Sequence, residues 1–599
     1  MKTLLSIAAL VAVLLLTLLL LPGPAPESGG AAARGTPTGG APPTAITNVR
    51  LFDGEQVIEQ ATLLLADGRV QAAGRDVAVP AGAQVVDGRG RTALPGLVDA
   101  HVHVFGPARE DALRFGVTTL LDMFRPPTDA AEYRAERASL APTARADLFS
   151  AGYLATAPGG HGTQYGFPVP TPTTADADDW VAARLAEGSD YIKIVIEDGA
   201  SWGGELPTLA PDTVRALVRA AHARGVLAVA HVSTRAAALL ALEAGADGLM
   251  HLFVDAPADA QFIAAAREAG AWVVPTAAVL AASHGHAAAA PLHDHPELGA
   301  RLSVTQRQSL GQAFPGAAAR RPRWPMIMDS VRALHEAGVP LLAGSDAPNP
   351  GTAQGASLHE ELAWLVAAGL APQAALRAAT AVPAAVFGLA ERGCLKAGCR
   401  ADVLLVDGNP LDDIGATTRI AAVWKNGHAV ALEPAAAPAP RTPAAARDVG
   451  PPLELLAQPG RWMAASDQYQ QGQSSARLVP AEAADGGLVV AGTLRTGFAF
   501  PYAGAMWNAS EVPMQATDLS GRSALELELA GAAASYRVMF FSGEQGAQPT
   551  WRDVPAGQLV RLEFAELPGV DLARLRAIGV FVSGQPGDFE FAIREARLH

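Results

Sequence analysis

The sequence predicts an α/β protein. We expect a (β/α)₈ (TIM) barrel, flanked by a small β-sandwich formed from both ends of the catalytic domain, plus a C-terminal all-β, jelly-roll-like domain. Between residues 94 and 393, eight short apolar runs alternate with Ala-rich helical segments, a rhythm typical of a closed parallel barrel. β patterns that turn at Asp-Gly pairs precede this region, and further β patterns follow it. Beyond residue 453, apolar and polar residues alternate in short runs between Gly and Pro turns.

Residues 1–22 are predicted to be a signal peptide or a membrane anchor. Lys2 precedes an apolar run at residues 4–21, and a Pro/Gly/Ala/Ser-rich linker follows at residues 23–43. The run is long for a cleaved signal and nearly long enough to span a bilayer, so both fates stay open. Either one predicts an extracytoplasmic location, periplasmic or secreted. There, the pair Cys394 and Cys399 would be a disulfide or two free thiols.

The bulk properties exclude some partners and predict several domains. The chain has 599 residues, half of them hydrophobic, and a formal net charge of −14. An acidic chain repels phosphate backbones, and no Lys/Arg cluster stands out, so we expect no nucleic-acid partner. The sequence does not indicate an oligomeric state.

Residues 44–93 and 394–432 are expected to pair into the small β-sandwich on either side of the barrel, residues 94–393. A second linker, rich in Pro and Ala, occupies residues 433–452, and the last domain covers residues 453–599. The expected barrel strands are the runs GLVDAHVHVF, VTTLLDMF, LFSAGYLAT, YIKIVIE, VLAVAHV, DGLMHLF, AWVVPTA and PLLAGSDA.

Histidines and acids cluster where these runs end. His101 and His103 alternate along the first run, so both imidazoles point to the same side, an arrangement suited to a divalent metal. Reactive residues of such barrels lie at the C-terminal ends of strands. The other polar residues at or within the runs are Lys193 in the fourth, His231 in the fifth, His251 in the sixth and Asp346 in the eighth.

The motifs LPGLVDAHVH, DGLMHL and AGSDA, with His231 between the first two, resemble the amidohydrolase superfamily. The chain is more narrowly similar to its imidazolonepropionase-like and Xaa-Pro-dipeptidase-like hydrolases. Further support comes from GGHG, SLHEEL and the tail RGCLKAGCRADVLLVDGNPL. The resemblance covers residues 44–431.

The resemblance implies a binuclear metal centre with two divalent ions, Zn²⁺ above all. His101 and His103 would bind the first metal, and His231 and His251 the second. Lys193 matches the lysine that dipeptidase-like members carboxylate, and its carbamate would bridge the two ions. Asp346 would touch the first metal.

The activity implied is hydrolysis of a carbon–nitrogen bond in a small substrate, such as a dipeptide or an N-acyl amino acid. A metal-bridging hydroxide would attack, with Asp346 as the proton shuttle. His161 and Tyr165, on the loop after the third strand, are the candidates for stabilising the oxyanion. GGHG, whose glycines would let this loop approach a ligand, contains His161.

Two other hypotheses remain. One keeps the barrel but uses a single metal and an unmodified Lys193 to open a cyclic amide or amidine, or acts on an ester or lactone. The other, of a different class, is a glycan- or surface-binding protein with a vestigial barrel. Its support is the C-terminal domain, which resembles the complex I intermediate-associated protein domain, a galactose-binding-like sandwich. Trp462, Trp507 and Trp551 would stack on a sugar or pack in the core.

Four more histidines follow the seventh run, in HGH and HDH: His284, His286, His293 and His295. They would hold an extra metal or, as we expect, lie in a solvated lid loop. His359 is expected to pack or to cap a helix.

Overall fold

The computed structural model describes residues 42–163, 169–286, 298–314, 316–389, 391–433, 451–467, 474–479, 487–495, 502–511, 513–543, 549–567, 569–583 and 586–599. The predicted signal or anchor, Tyr165, His293 and His295 lie outside the described residues. Among the residues that are described, none of the helices combines the length and the apolar character needed to cross a membrane.

The chain first forms a sheet of short strands. These are β1 (Thr44–Phe52), β2 (Val57–Ala66), β3 (Arg69–Gly74), β4 (Gln84–Asp87) and β5 (Arg91–Pro95). β1 is antiparallel to β2, and along its length it runs parallel first to β4 and then to β5. Its register shifts in the middle, where Asn48 has a positive φ of 56°. This irregularity lets a single strand contact three others.

The barrel strands follow in the predicted order. They are β6 (Leu97–Val102), β7 (Val117–Asp122), β8 (Asp147–Ser150), β9 (Ile192–Ile196), β10 (Ala228–Val232), β11 (Gly248–Met250) and β12 (Trp272–Val274). All the neighbours from β6 to β8 and from β9 to β12 pair in parallel. A parallel bridge between Ala155 and Ile194 joins these two groups.

Residues 341–343 take the place of an eighth strand and close the barrel. Leu341 forms a parallel bridge with Val273, next to β12. On the other side, the backbone N–H of Ala100 in β6 donates to the carbonyl oxygen of Ala343 at 2.9 Å. The predicted run PLLAGSDA therefore closes the ring through isolated hydrogen bonds rather than a regular strand.

Helices connect these strands and cover the barrel. They are α1 (Ala108–Arg114), α2 (Ala130–Ala138), α3 (Ala177–Glu187), α4 (Pro211–His222), α5 (Arg235–Ala244), α6 (Ala260–Glu268), α7 (Ala277–Ser283), α8 (Leu298–Arg301), α9 (Val304–Leu310), α10 (Ala317–Arg320), α11 (Trp324–Glu336), α12 (Ala356–Ala367), α13 (Pro372–Ala378) and α14 (Ala381–Val386). The predicted glycine stops are present: α3 ends at Gly188 and α5 at Gly245, both left-handed.

Three strands after the barrel complete the first sheet: β13 (Val403–Asp407), β14 (Ile420–Lys425) and β15 (His428–Ala429). β13 lies antiparallel to β5, so strands from both sides of the barrel share one continuous eight-stranded sheet rather than two separate layers. Cys394 and Cys399 form a disulfide just before β13.

The C-terminal part consists of two antiparallel sheets. Its strands are β16 (Leu453–Glu454), β17 (Trp462–Ser466), β18 (Ser475–Val479), β19 (Leu488–Leu494), β20 (Tyr502–Asn508), β21 (Ala524–Gly531), β22 (Ser535–Ser542), β23 (Thr550–Pro555), β24 (Leu559–Glu563), β25 (Leu575–Ser583) and β26 (Gly587–Leu598). One sheet has the order β18-β19-β26-β21-β24 with β16 beside β26, and the other β17-β20-β25-β22-β23. Buried side chains of both sheets form one hydrophobic core.

Two of the three tryptophans considered for sugar stacking belong to this core. Trp507 is 0% exposed, and Trp462 is buried with its indole N–H donating to the carbonyl oxygen of Leu455. Their faces are therefore unavailable to a sugar, and that interpretation is wrong for both. Trp551 is 50% exposed, but the guanidinium of Arg537 lies 3.9 Å from its ring centroid.

Candidate active site

The C-terminal ends of the barrel strands bring together His101, His103 and Asp346. Oδ1 of Asp346 lies 3.4 Å from Nε2 of His101 and 3.1 Å from Nε2 of His103. The backbone N–H of Asp346 donates to the carbonyl oxygen of His101 at 2.7 Å, which fixes the acid beside the first strand. The three side chains each offer one ligand atom within 4.8 Å of the others, a spacing that suits one metal ion.

Unsatisfied polar atoms show that these residues fit a metal. Among the described residues, neither ring nitrogen of His101 has a hydrogen-bond partner, and neither has Oδ1 of Asp346. Burying such atoms without partners is costly, and a cation bound between them removes that cost. Burial also lowers the pKa of His101 well below its ordinary value, so the ring is neutral and keeps a lone pair for a metal.

His231 and His251 lie beside this group. The ring of His251 is 4.5 Å from that of His101 and 4.7 Å from that of His231, measured between centroids. Burial lowers the pKa of His251 well below its ordinary value. Both histidines are therefore close enough to His101 to bind a second ion beside the first.

Lys193 lies in β9, next to the strand of His231. Its side chain is buried, with 2% of the residue exposed, and burial lowers the pKa of its amine to about 7. Asp346 and Asp122 act in the opposite direction, and among the described residues no carboxylate forms an ion pair with it. A buried lysine without such a pair exists partly as the neutral amine, the form that reacts with carbon dioxide.

The backbone is strained where the last three strands of the barrel end. His251, Thr276 and Asp346 have positive φ values of 74°, 51° and 51°. Residues other than glycine adopt this conformation at a cost of about 1–3 kcal/mol each when it is enforced by the surroundings. Such strain concentrates at functional sites. Here it directs the side chains of His251, its hydrogen-bond partner Thr276 and Asp346 towards the same space.

Glu197 belongs to the site and was missed in the sequence. It follows β9 directly, and its Oε2 lies 3.3 Å from Nε2 of His231. Burial opposes ionisation, but the contact with His231 and the hydrogen bond from the backbone N–H of Gly199 help to outweigh it, and the pKa of Glu197 is lowered to about 2. The signal was present, because Glu197 is the last residue of the run YIKIVIE.

A buried acid, Asp99, holds the backbone near His101 and Asp346 in place through hydrogen bonds. Asp99 accepts hydrogen bonds from the hydroxyl of Ser345 at 2.6 Å, from the backbone N–H of Ser345 at 3.0 Å and from that of His101 at 3.2 Å. It therefore ties β6 to the segment that carries Asp346. Burial raises the pKa of Asp99 to about 7.

His161 reaches the site from the loop after the third strand. Its ring stacks on that of His231 with 4.7 Å between centroids. Burial and the neighbouring His231 lower the pKa of His161 to about 3, so the ring is neutral near pH 7. Its position is compatible with the predicted contact to an oxyanion.

His284 and His286 do not lie in a solvated lid, contrary to expectation. His284 directly follows α7 and is 0% exposed, and its Nδ1 lies 2.8 Å from the carbonyl oxygen of Leu280. His286 is half-buried, with its ring 5.3 Å from that of Trp324. Packing of this segment against α11 buries both. His359 packs as expected, with Nε2 2.8 Å from the carbonyl oxygen of Phe115.

The fold is a TIM barrel with a candidate metal site at the C-terminal ends of its strands. Residues 203–430 match the model of the amidohydrolase family, so the chain carries an amidohydrolase family domain. A putative prolidase from Bifidobacterium longum has a similar structure, with 27% identity and a TM-score of 0.55, covering 66% of this chain and 97% of that chain.

Curated relatives match over shorter segments. The ochratoxinase of Aspergillus niger is 28% identical over 259 residues, which are 41% of this chain and 47% of the relative. Urease subunit alpha 2 of Streptomyces coelicolor is 38% identical over 87 residues, 13% of this chain and 16% of the relative. The chain thus spans less than half the length of these relatives.

Proposed function

We propose that this chain is a metal-dependent amidohydrolase that cleaves the carbon–nitrogen bond of a small substrate such as a dipeptide or an N-acyl amino acid. One observation carries the proposal: buried His101 and Asp346 present unpartnered ligand atoms to each other at the C-terminal end of the barrel. The similarity to a putative prolidase supports the choice of an amide substrate.

In this proposal, His101, His103 and Asp346 would hold a first divalent ion, and His231 and His251 would hold a second. A carboxylated Lys193 would supply oxygen ligands to both. Once bound, such ions supply an acidified water molecule and polarise the substrate carbonyl. Histidine nitrogen and carboxylate oxygen suit Zn²⁺ and also Mn²⁺ or Co²⁺.

Asp346 moves the proton in this proposal. Its carboxylate takes a proton from the attacking water and delivers it to the leaving nitrogen, which departs as a neutral amine. The neutral ring of His161 donates an N–H to the carbonyl oxygen as negative charge develops there. Tyr165 remains a prediction for the same role.

Lys193 supplies oxygen ligands only after modification. The neutral amine adds through Nζ to the carbon of carbon dioxide, a new N–C bond forms, and one proton leaves to solvent. The product carries one negative charge on two oxygens, which a protonated amine cannot offer. The low pKa of Lys193 and its lack of a carboxylate partner favour this reaction.

A single-metal enzyme acting on a cyclic amide is the second candidate, and Glu197 is the observation that favours it. Nε2 of His231 contacts Oε2 of Glu197 at 3.3 Å, so this nitrogen already has a partner within the protein. About one metal per chain at full activity, with an active Lys193→Ala variant, would favour this candidate over the binuclear one.

Hydrolysis is tested with a library of dipeptides, N-acyl amino acids and cyclic amides, scored by release of amine before and after chelation and metal readdition. We expect cleavage of linear amides that is lost on chelation and regained with Zn²⁺, Mn²⁺ or Co²⁺. Activity in protein free of divalent metal would refute the mechanism. Metal-dependent cleavage of esters or lactones alone would change the substrate class.

We also propose that the enzyme acts outside the cytoplasm. The Cys394–Cys399 disulfide supports this location, because disulfides persist in oxidising compartments. Alkylation of the protein from periplasmic or secreted fractions should find both cysteines unreactive until a reductant is added. Recovery of the mature protein only in the cytoplasm would contradict the proposal.

A further inference from the structure

An exposed tryptophan lies beside the candidate metal ligands. Trp202 ends a short 3₁₀ turn in the loop that follows β9, at the C-terminal face of the barrel. Its indole Nε1 lies 3.4 Å from Oε2 of Glu197, and the same oxygen lies 3.3 Å from Nε2 of His231. A single carboxylate oxygen therefore separates the indole from a candidate metal ligand, which places the ring at the active site.

Hydrogen bonds fix the turn that carries Trp202. The backbone N–H of Gly199 donates to Oε1 of Glu197 at 2.7 Å, and the buried hydroxyl of Ser201 donates to the carbonyl oxygen of Ser233 at 2.8 Å. Ser233 directly follows β10, so the turn is attached at the ends of two neighbouring barrel strands. Because the turn is held in place on both sides, the ring needs little further ordering when a substrate binds to it.

The exposed surface of Trp202 is apolar. The residue is 41% exposed, although the only polar atom of its side chain is directed at Glu197. The ring of His284 and the guanidinium of Arg320 lie 6.4 Å and 5.5 Å from its ring centroid, so one side of the indole already has neighbours. Among the described residues, the other exposed aromatic side chain is Trp551, in the C-terminal part. The open surface of Trp202 suits an aromatic or aliphatic group rather than a polar one.

We propose that Trp202 is a specificity residue, which binds an aromatic or large aliphatic side chain of the substrate next to the scissile amide. The inference rests on the proposed function and adds the substrate's side chain to it. A substrate ring gains both the burial of its surface and a ring–ring contact at this position, whereas a methyl group is too short to gain either. The enzyme therefore prefers amides of phenylalanine-like amino acids to the corresponding amides of alanine.

Two matched probes test this inference. N-acetyl-L-phenylalanine and N-acetyl-L-alanine share the scissile bond and the carboxylate and differ only in the phenyl ring, and both release acetate. In the wild type, we expect KM to be about ten-fold lower for the phenylalanine probe. In Trp202→Ala, the ratio of the two KM values should approach one. Trp202→Phe keeps an aromatic ring and should retain most of the preference.

The ratio also separates substrate binding from the contact of Trp202 with Glu197. Both variants lose the indole N–H, and an effect that acts through Glu197 on the metal ligands changes the kinetics of both probes by the same factor. Trp551→Ala is the matched control, since it removes an exposed tryptophan of the C-terminal part, and the ratio should stay at its wild-type value.

Two outcomes overturn the inference while leaving hydrolysis intact: no preference in the wild type, or a preference that Trp202→Ala retains. If the wild type releases no acetate from either probe, calorimetric titration decides. Tighter binding of the phenylalanine probe that is lost in Trp202→Ala supports the role of Trp202, and equal or undetectable binding of the two probes overturns it.

Discussion

The hydroxyl oxygen of Thr276 lies 2.8 Å from Nδ1 of His251 and 2.7 Å from the carbonyl oxygen of Pro275. A hydroxyl has one hydrogen, and the carbonyl can only accept it, so the ring nitrogen is the donor in the first contact. Nε2 of His251 is then left with its lone pair. Thr276 thus selects the tautomer of His251 that can bind a metal.

Removing that hydroxyl should weaken the binding of the second metal ion. Thr276→Val keeps the side-chain shape but removes the acceptor, so we expect kcat/KM to fall about 10- to 100-fold, together with metal occupancy. Thr276→Ser keeps the hydroxyl and should retain most of the activity. Kinetics and elemental analysis of both variants check this, and a fully active, fully loaded Val variant would contradict the role of Thr276.

Asp346→Asn should abolish proton transfer without unfolding the barrel. An amide cannot accept the proton of water, so we expect kcat to fall about 10²- to 10⁴-fold. The backbone N–H bond of residue 346 to His101 remains, and the thermal midpoint should change little. The exposed acid Asp412 provides a matched control as Asp412→Asn, for which activity should equal that of the wild type.

Lys193→Ala should lose about one metal ion per chain. It removes the nitrogen that the carbamate needs, and a short carboxylate such as propionate should partly restore both metal and activity by entering the vacated space. Lys396→Ala is the matched control, since Lys396 is exposed and pairs with Glu55. If Lys193→Ala keeps both its metal and its activity, the carbamate has no role.

Glu360 should make stability depend on pH. Burial raises the pKa of Glu360 to about 8, although Trp364 donates a hydrogen bond to it. The folded protein therefore binds this proton more tightly than the unfolded chain, whose glutamates titrate near pH 4.3. The contribution is fully present below that value and declines as pH rises towards 8.

Glu360→Gln removes this titration. At pH 8 the variant should be more stable than the wild type by about 1–3 kcal/mol, and near pH 4 the difference should vanish or reverse. Unfolding midpoints in urea across this range provide the measurement, with Glu336→Gln at the end of α11 as a control. Parallel curves for wild type and Glu360→Gln would show that Glu360 is ionised in the folded protein.

The sequence predicts the barrel and the polar side chains that meet at its strand ends because both depend on local periodicity. Alternation along one strand places His101 and His103 on the same side, and the strand ends supply His231, His251 and Asp346. The structure brings these residues together with Lys193 and His161.

Features that arise from contacts between distant segments could not be predicted. The position of Thr276 against His251 depends on the left-handed backbone of both residues, which follow different strands. Burial of His284 depends on the packing of α7 against Trp324 at the start of α11, and burial of Trp507 depends on the second sheet of its sandwich.

The most direct test of the metal centre is elemental analysis of the purified wild type beside His101→Ala and Lys193→Ala, combined with intact mass measured under native conditions. We predict about two divalent ions per wild-type chain, about one in Lys193→Ala, and a mass increment of about 44 Da that only the wild type and His101→Ala can carry. An active wild type with no divalent ion would contradict the account at its centre.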